Sequence, residues 1–252
     1  MTQPQASSDQ RQALAPGLVL QRFEPPLRLG DFKLIAFDMD STLINIECID
    51  EIADAVGKKA EVAAITEATM RGEIKDFKES LRRRVALLQG VPVSALQQVY
   101  DQRLRLNPGA EQLVAACRDA GLKVLLVSGG FTFFASRVKE RLGIDFARSN
   151  LLDEAEGLLT GRVVQQSWGD ICDGAEKRRT LLEVASLLGI SPAETIAVGD
   201  GANDLPMMAE AGLSVAFHAK PKVRAEAMVA IDQGGLDRLL EVVLPNDPAR
   251  AA

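Results

Sequence analysis

Apolar and polar positions change their period several times along the chain. KLIAF (Lys33–Phe37) is a short, nearly unbroken apolar run that ends on charge, the pattern of a strand buried on both faces. From about Glu47 to Leu106 the apolar positions follow a helical period. Gly57, Gly72 and the GVP at Gly90–Pro92 divide that stretch into several helices. Beyond Pro108 strands and helices alternate. GAEQLVAACRDAG predicts a helix closed by Gly121, LKVLLVSGG a strand ending in glycines, and FTFFASRVKERLG a helix closed by Gly143. Gly157–Val164 predicts part of a hairpin, and AEKRRTLLEVASLLG a further helix. TIAVGDGAND predicts a strand with a polar C-terminal end, and LSVAF a last strand followed by helices.

This alternation predicts an α/β fold, a Rossmann-like doubly wound parallel sheet with helices on both faces. The all-helical stretch after the first strand is then an insertion that caps the sheet. The expected boundaries are a core of residues 31–46 and 107–245, a helical cap of 47–106 and a flexible tail of 246–252. Residues 1–30 form an N-terminal extension whose first fifteen or so residues, polar and Pro/Gln/Ser-rich, predict disorder. No internal repeat is present.

Charge narrows the classes of function. A net charge of −6 offers no basic face to replace phosphate counterions, which argues against nucleic acid or an anionic membrane as partner. Cys48, Cys117 and Cys172 are scattered and odd in number, which predicts reduced thiols in the cytoplasm. MTQPQASSDQRQ lacks the basic start and apolar run of a signal peptide, and no apolar run approaches bilayer length.

The candidate chemistry lies at strand ends, where ligands of such sheets bind. LIAF runs into Asp38-Met39-Asp40-Ser41-Thr42, LLV into Ser128-Gly129-Gly130, and IAV into Gly199-Asp200-Gly201-Ala202-Asn203-Asp204. Each is a weak signal alone; three at the same rim of one sheet are not. Carboxylates about 4 Å apart repel by about 4 kcal/mol at an effective dielectric near 20, so Asp38, Asp40 and Asp200 stay ionised together only around a cation. Nearby donors are all oxygens, which predicts Mg²⁺ ahead of Ca²⁺ or Mn²⁺, and not Zn²⁺. SGG predicts an anion cradle of backbone N–H groups and a hydroxyl at a strand-to-helix turn. Asn203 and Asp204 precede Pro206, which predicts a capping role alongside support of the metal.

Two cations stand on apolar stripes. Lys177 continues the stripe Leu181, Val184, Ala185 and Leu188 in the first turn of its helix, where the dipole disfavours a cation unless an anion is close. Arg84 falls within the face Phe77, Leu81, Val85 and Leu88, and calls for an anionic partner: Glu51 or Glu79 of the chain, or a substrate carboxylate. His218, Trp168 and Tyr100 are expected to be structural, and Lys220, Lys222 and Arg224 a solvated face.

With these motifs in place, Lys33 to Val243 resembles the phosphatases of the haloacid dehalogenase (HAD) superfamily. DMDST, SGG, Lys177 and GDGAND match the superfamily's four motifs in order. INIECIDEIA and FKESLRRRVALL resemble the cap of its phosphoserine phosphatases. The resemblance implies a Mg²⁺-dependent hydrolysis of O-phosphoserine, a small-molecule substrate, through an aspartyl-phosphate. Asp38 would be the nucleophile and Asp40 the general acid and base. Asp38, the Asp40 carbonyl and Asp200 would hold the metal, with Asn203 and Asp204 supporting. Ser128, Gly129 and Lys177 would bind the phosphoryl group, Glu47 the ammonium and Arg84 the carboxylate, with Met70 and Phe77 lining the closed cap. About thirty residues precede the first strand, too few for the amino-acid-sensing domain that family members often carry there. Rival readings are a phosphotransferase to an alcohol such as homoserine, a phosphatase of another small ester, an ion-pump phosphorylation domain and a non-catalytic metal module.

Overall fold

The computed structural model describes residues 11–23, 27–71 and 73–244. The expected disorder of residues 1–10 and the flexibility of the tail 246–252 concern residues outside that set.

β4 (Leu34–Phe37) is the strand that KLIAF predicts, and all four of its residues are buried. It is flanked in parallel by β5 (Lys123–Phe131) and β8 (Thr195–Gly199), with Phe37 opposite both Leu126 and Val198. β6 (Phe146–Ala155) continues the sheet beyond β5, and β9 (Leu213–Phe217) and β10 (Val229–Ile231) beyond β8. Because the chain first winds from β4 to one side and later returns on the other, the crevice between β4 and β8 is a topological switch point, where such sheets bind ligands.

Alternation in β4 sorts the two faces. Ile35 and Phe37 join a cluster with Leu113 of α5 (Ala110–Asp119) and Phe134 of α6 (Thr132–Leu142). Leu34 and Ala36 join a second cluster with Leu181 of α7 (Gly174–Leu188) and Met207 of α8 (Leu205–Met208). Helices therefore cover both faces, as the unbroken apolar run requires.

Among the described residues, four helices stand between β4 and α5: α1 (Cys48–Ala55), α2 (Lys59–Met70), α3 (Phe77–Ala86) and α4 (Val93–Gln102). Their entry and exit segments lie side by side. Asn45 N–H donates to the Arg105 carbonyl at 3.0 Å, and Asn107 Nδ2 donates to the carbonyls of Thr42 and Ile44 at 2.8 and 3.0 Å. Between α3 and α4 the backbone bonds β7 (Leu158–Val164), the antiparallel partner of β6: Gly90 N to Leu159 O and Leu159 N to Val91 O, both 2.8 Å.

The structure departs from expectation in two places. Residues 11–15, expected to be disordered, are strand β1 (Arg11–Ala15), turned back at Gly17 (φ 70°) against β2 (Leu18–Gln21). β2 in turn pairs antiparallel with β10 and buries Leu18 and Leu20, and the two-residue β3 (Leu27–Arg28) follows before β4. Backbone pairing to a buried neighbour holds the exposed β1, and composition carries no sign of that. Secondly, Ser128–Gly130 do not form a simple strand-to-helix turn. β5 continues through them to Phe131, with three residues of β5 set opposite one of β6 between the pairs Val127–Arg148 and Phe131–Asn150. Such a bulge re-aims backbone groups at a strand end.

Candidate active site

Asp38 leaves the C-terminal end of β4, and its N–H donates to Val198 O at 3.0 Å, so its backbone belongs to the switch-point crevice. Its Oδ1 accepts the N–H of Met39 at 2.7 Å. Residues Met39–Leu43 then coil into a wide turn closed by Ile44 N–H on Met39 O at 3.0 Å, with Ser41 at a left-handed φ of 57°. That turn brings Asp40 onto the start of α1. Cys48 donates to both of its carboxylate oxygens, N–H to Oδ2 at 3.2 Å and Sγ–H to Oδ1 at 3.1 Å.

From the other side of the crevice, the loop after β8 presents Asp200, Asn203 and Asp204. Asp204 Oδ2 accepts the N–H groups of Asp200 and Gly201 at 3.1 and 3.0 Å. Its carboxylate therefore closes the loop. It stands at the N-cap position of α8 but makes no side-chain bond to that helix, unlike the expected cap. Asn203 places its side-chain oxygen beside Gly201, where a Cβ would clash.

Lys177 lies in the first turn of α7 and is 0% exposed. Its ammonium sits 2.7 Å from Asp38 Oδ1 and 2.6 Å from Asp204 Oδ1. A buried cation at the wrong end of a helix dipole is thus held by two carboxylates, the anionic surroundings that its position on the apolar stripe demanded. Burial lowers its affinity for a proton, but Asp204 and Asp38 outweigh burial and keep it charged.

Ser128 is buried, and its Oγ accepts the Gly130 N–H at 2.8 Å across the bulge. Gly130 leaves little room for a side chain: a Cβ there would sit about 3 Å from Asp40 Oδ2 and Ser128 Oγ, so both would have to give way. Asn150, a polar residue buried within β6, pins the far side, donating to Gly129 O at 2.7 Å and accepting Cys172 N–H at 2.8 Å. Asn150 is unmarked in the sequence reading, and Cys48 is marked there only as a reduced thiol with no role at the site. A polar Ser149-Asn150 pair inside a sheet strand was the available signal for the first; a lone cysteine gave none for the second.

Four residues of the insertion were singled out from the sequence. Phe77, at the start of α3, brings its ring tip to 3.2 Å from where a Cβ of Gly129 would lie. Glu47, exposed at the N-cap position of α1, accepts Ser41 Oγ–H at 2.7 Å. Its charge reaches both Asp40 and Asp200. Arg84 is half-buried, and its one hydrogen bond among the described residues is a long one, Nε to Ser80 O at 3.4 Å. The internal partners considered for it are taken, Glu79 by Arg83 and Glu51 by Arg103. Burial disfavours its charge while Asp50, Glu47 and Asp40 favour it. Asp50 Oδ1, also buried, has no hydrogen-bond partner among the described residues. Met70 is the last residue of α2; its side chain lies outside what the structure describes.

The carboxylates show what the site calls for. Asp38, Asp200 and Asp204 each bring an oxygen within 4.8 Å of the others. Burial, then Asp204, with Asp200 adding, pushes Asp38 well above the usual carboxylate range despite Lys177. Burial and Asp204 push Asp200 up to about 6. Burial and Glu47 push Asp40 up to about 7 against the two bonds from Cys48. One buried ammonium leaves this negative charge under-neutralised, and the donors are oxygens alone, which fits a hard divalent cation. Both oxygens of Asp204 are engaged by Lys177 and the loop amides, so Asp38 and Asp200 are the carboxylates left to meet such an ion.

Residues 32–212 match the family described as haloacid dehalogenase-like hydrolase. A phosphoserine phosphatase of Polaromonas sp. is 72% identical over 230 residues, covering 91% of this chain and 98% of the relative. One of Archaeoglobus fulgidus is 47% identical over 211 residues, covering 84% of this chain and 60% of the relative. The structure of a phospho-aspartyl intermediate analogue of phosphoserine phosphatase superposes with a TM-score of 0.77 at 40% identity, covering 84% of this chain and 99% of that one. A substrate-bound phosphoserine phosphatase gives a TM-score of 0.77 at 39% identity, covering 84% and 98%. A parallel sheet carrying its acids at one rim, and a family match that spans the strands bearing them, lead to one assignment: the chain belongs to the haloacid dehalogenase-like hydrolase family.

Proposed function

We propose that this chain is a phosphoserine phosphatase, hydrolysing O-phosphoserine to serine and phosphate through an aspartyl-phosphate on Asp38 and so closing serine biosynthesis. The observation that carries the reading is Arg84. It is a half-buried guanidinium on the inserted helices, with no carboxylate of the described residues in ion-pair reach, while Arg82 and Arg83 beside it are paired. A phosphoester that also bears a carboxylate satisfies it; a plain phosphoester does not. The 72% identity to a phosphoserine phosphatase supports the same substrate.

In this reading residues 47–106 are a cap over a core of 31–46 and 107–245. Asp38 attacks phosphorus. An ionised carboxylate needs orientation rather than a base, and the Met39 N–H and Lys177 orient Oδ1. Lys177, Ser128 and Gly129 face the phosphoryl oxygens, where charge builds in the transition state. Asp40, with its pKa near 7, gives its proton to the departing serine oxygen and then takes one from the attacking water. Glu47 receives the substrate ammonium and Arg84 its carboxylate, with Met70 and Phe77 closing over them. Asp38, the Asp40 carbonyl and Asp200 would hold Mg²⁺, supported by Asn203 and Asp204. Mg²⁺ there supplies neutralisation of the carboxylates and of the phosphoryl charge. The three buried free thiols support a reducing, cytoplasmic setting. Among the described residues no helix is long and apolar enough to cross a membrane.

A panel of small phosphomonoesters, assayed with and without Mg²⁺ and with homoserine as a competing acceptor, tests this reading. Phosphoserine is expected to be the best substrate, with metal-dependent release of free phosphate. A better substrate lacking the amino-acid end, or phosphohomoserine in excess of phosphate, rejects it. Arg84→Ala is expected to raise KM for phosphoserine about tenfold to a hundredfold, the worth of a charge-assisted pair, and to leave p-nitrophenyl phosphate little changed. Equal changes on both substrates would mark Arg84 as structural.

A further inference from the structure

We propose that Asp170 is a positioning residue for catalysis. Its single carboxylate, fixed to the core, takes two cations of α3 and thereby sets where Phe77 and Arg84 stand over the phosphoryl site. The inference rests on the reading of Arg84 as the ligand of the substrate carboxylate.

The core side is held by several hydrogen bonds and a ring contact. Asp170 lies in the loop from β7 to α7, where Gln166 and Gly169 exchange backbone hydrogen bonds of 2.8 and 3.1 Å. Gln166 Nε2 also donates to Ser149 O at 3.0 Å. Arg148 stacks over the Trp168 ring, 5.4 Å from its centroid, and Arg179 donates to the Trp168 carbonyl. The N–H of Ile171 donates to Asp170 Oδ1 at 2.9 Å and fixes the carboxylate's direction. Three residues on, Asp173 caps α7 by accepting the Glu176 N–H at 2.9 Å, and Lys177 follows in that first turn. Asp170 is thus held in the same frame as the ammonium that meets the phosphoryl group.

The cap side differs at its two ends. The segment after α3 is tied to β7 by backbone hydrogen bonds, a fixed end. The start of α3 meets the core through side chains: the Phe77 ring at Gly129, Lys78 Nζ 2.8 Å from Asp170 Oδ1 and 3.8 Å from Asp173 Oδ2, and Arg82 2.5 Å from Asp170 Oδ2. Lys78 and Arg82 are one helical turn apart, so one carboxylate spans both. Phe77 precedes the first of them and Arg84 follows the second by two residues. Holding Lys78 and Arg82 therefore fixes the helix that carries both proposed substrate contacts.

The exposure of the bridge suits a contact that forms and releases at each turnover. Lys78, Arg82 and Asp170 are 32%, 47% and 41% exposed in their side chains, so water and salt screen the attraction. A screened bridge shifts the closed fraction of the cap by a modest factor, and apparent substrate affinity follows that fraction.

The test is a kinetic split. Asp170→Ala is expected to raise KM for phosphoserine about three- to tenfold with kcat unchanged or higher, and to move KM for p-nitrophenyl phosphate by less than about twofold. Arg82→Ala and Lys78→Ala, on the opposite side of the bridge, should show the same split, and Asp170→Glu should retain wild-type behaviour. Added KCl should raise the wild-type KM for phosphoserine and have little effect in Asp170→Ala. Equal changes on the two substrates, a fall in kcat at constant KM, or wild-type kinetics in all three alanine variants would overturn the proposal. The wild-type preference between the two substrates, measured alongside, separates the two levels. Its absence rejects the substrate reading; its presence without the split rejects the role of Asp170 alone.

Discussion

Asp38→Asn is expected to abolish phosphate release, by on the order of ten-thousandfold or more, while leaving the protein folded and slightly more stable. The amide keeps the shape of the side chain but cannot attack phosphorus. The stability prediction follows from electrostatics. Burial and the charges of Asp204 and Asp200 hold the folded-state pKa of Asp38 above its unfolded value, outweighing the attraction of Lys177. The fold therefore disfavours the ionised form, and the penalty is present at neutral pH and vanishes as pH falls through the unfolded pKa. Replacing the charge with an amide removes that penalty. Thermal melts without added metal, set beside phosphate-release assays, check both halves; an inactive variant that is also unfolded would contradict the second.

Lys177→Met carries the opposite sign of stability on the same ion pair. Its ammonium is the buried cation between Asp38 and Asp204, and the fold raises its pKa, so its contribution is present throughout the neutral range. Removing it leaves two buried carboxylates without their partner. The expected cost is about 3–5 kcal/mol, or on the order of 10 °C in Tm for a chain of this size, with phosphate release lost as well. Two neighbours 2.7 Å apart thus answer differently to neutralisation. A Lys177→Met variant as stable as wild type would mean that protonation of the carboxylates relieves the site by itself, and that the ammonium is not what holds the two acids in place.

What could be read from the sequence, and what could not, divides along physical lines. LIAF, LLV and IAV announced three buried strands because a strand covered on both faces leaves an unbroken apolar run. Lys177 and Arg84 stood out because charges on apolar stripes break a helical period, and one is fully and the other half buried. β2 (LVLQ) and β10 (VAI) are short apolar runs with no charged motif at their ends to mark them, and the sequence reading leaves both unassigned. β1 is exposed and held by its backbone, which leaves no trace in side-chain pattern. The fork of Cys48 onto Asp40 and the two anchors of Asn150 depend on distances across eight and more than twenty residues, and no local pattern encodes them. Asp204 illustrates a further limit. Its position before Pro206 suggested a helix cap, yet its carboxylate turns back onto the Asp200 and Gly201 amides. Local propensity identified a residue that binds backbone, and the tertiary loop decided which backbone.

The most direct measurement is covalent. Wild-type enzyme mixed with phosphoserine and Mg²⁺ is quenched in acid during turnover, digested, and mapped by mass spectrometry. The account predicts one phosphoryl group on the peptide that carries Asp38, placed on that residue by fragmentation, and its loss on treatment with hydroxylamine. Steady release of phosphate with no phosphorylated peptide, or with the group on any other side chain, would contradict it.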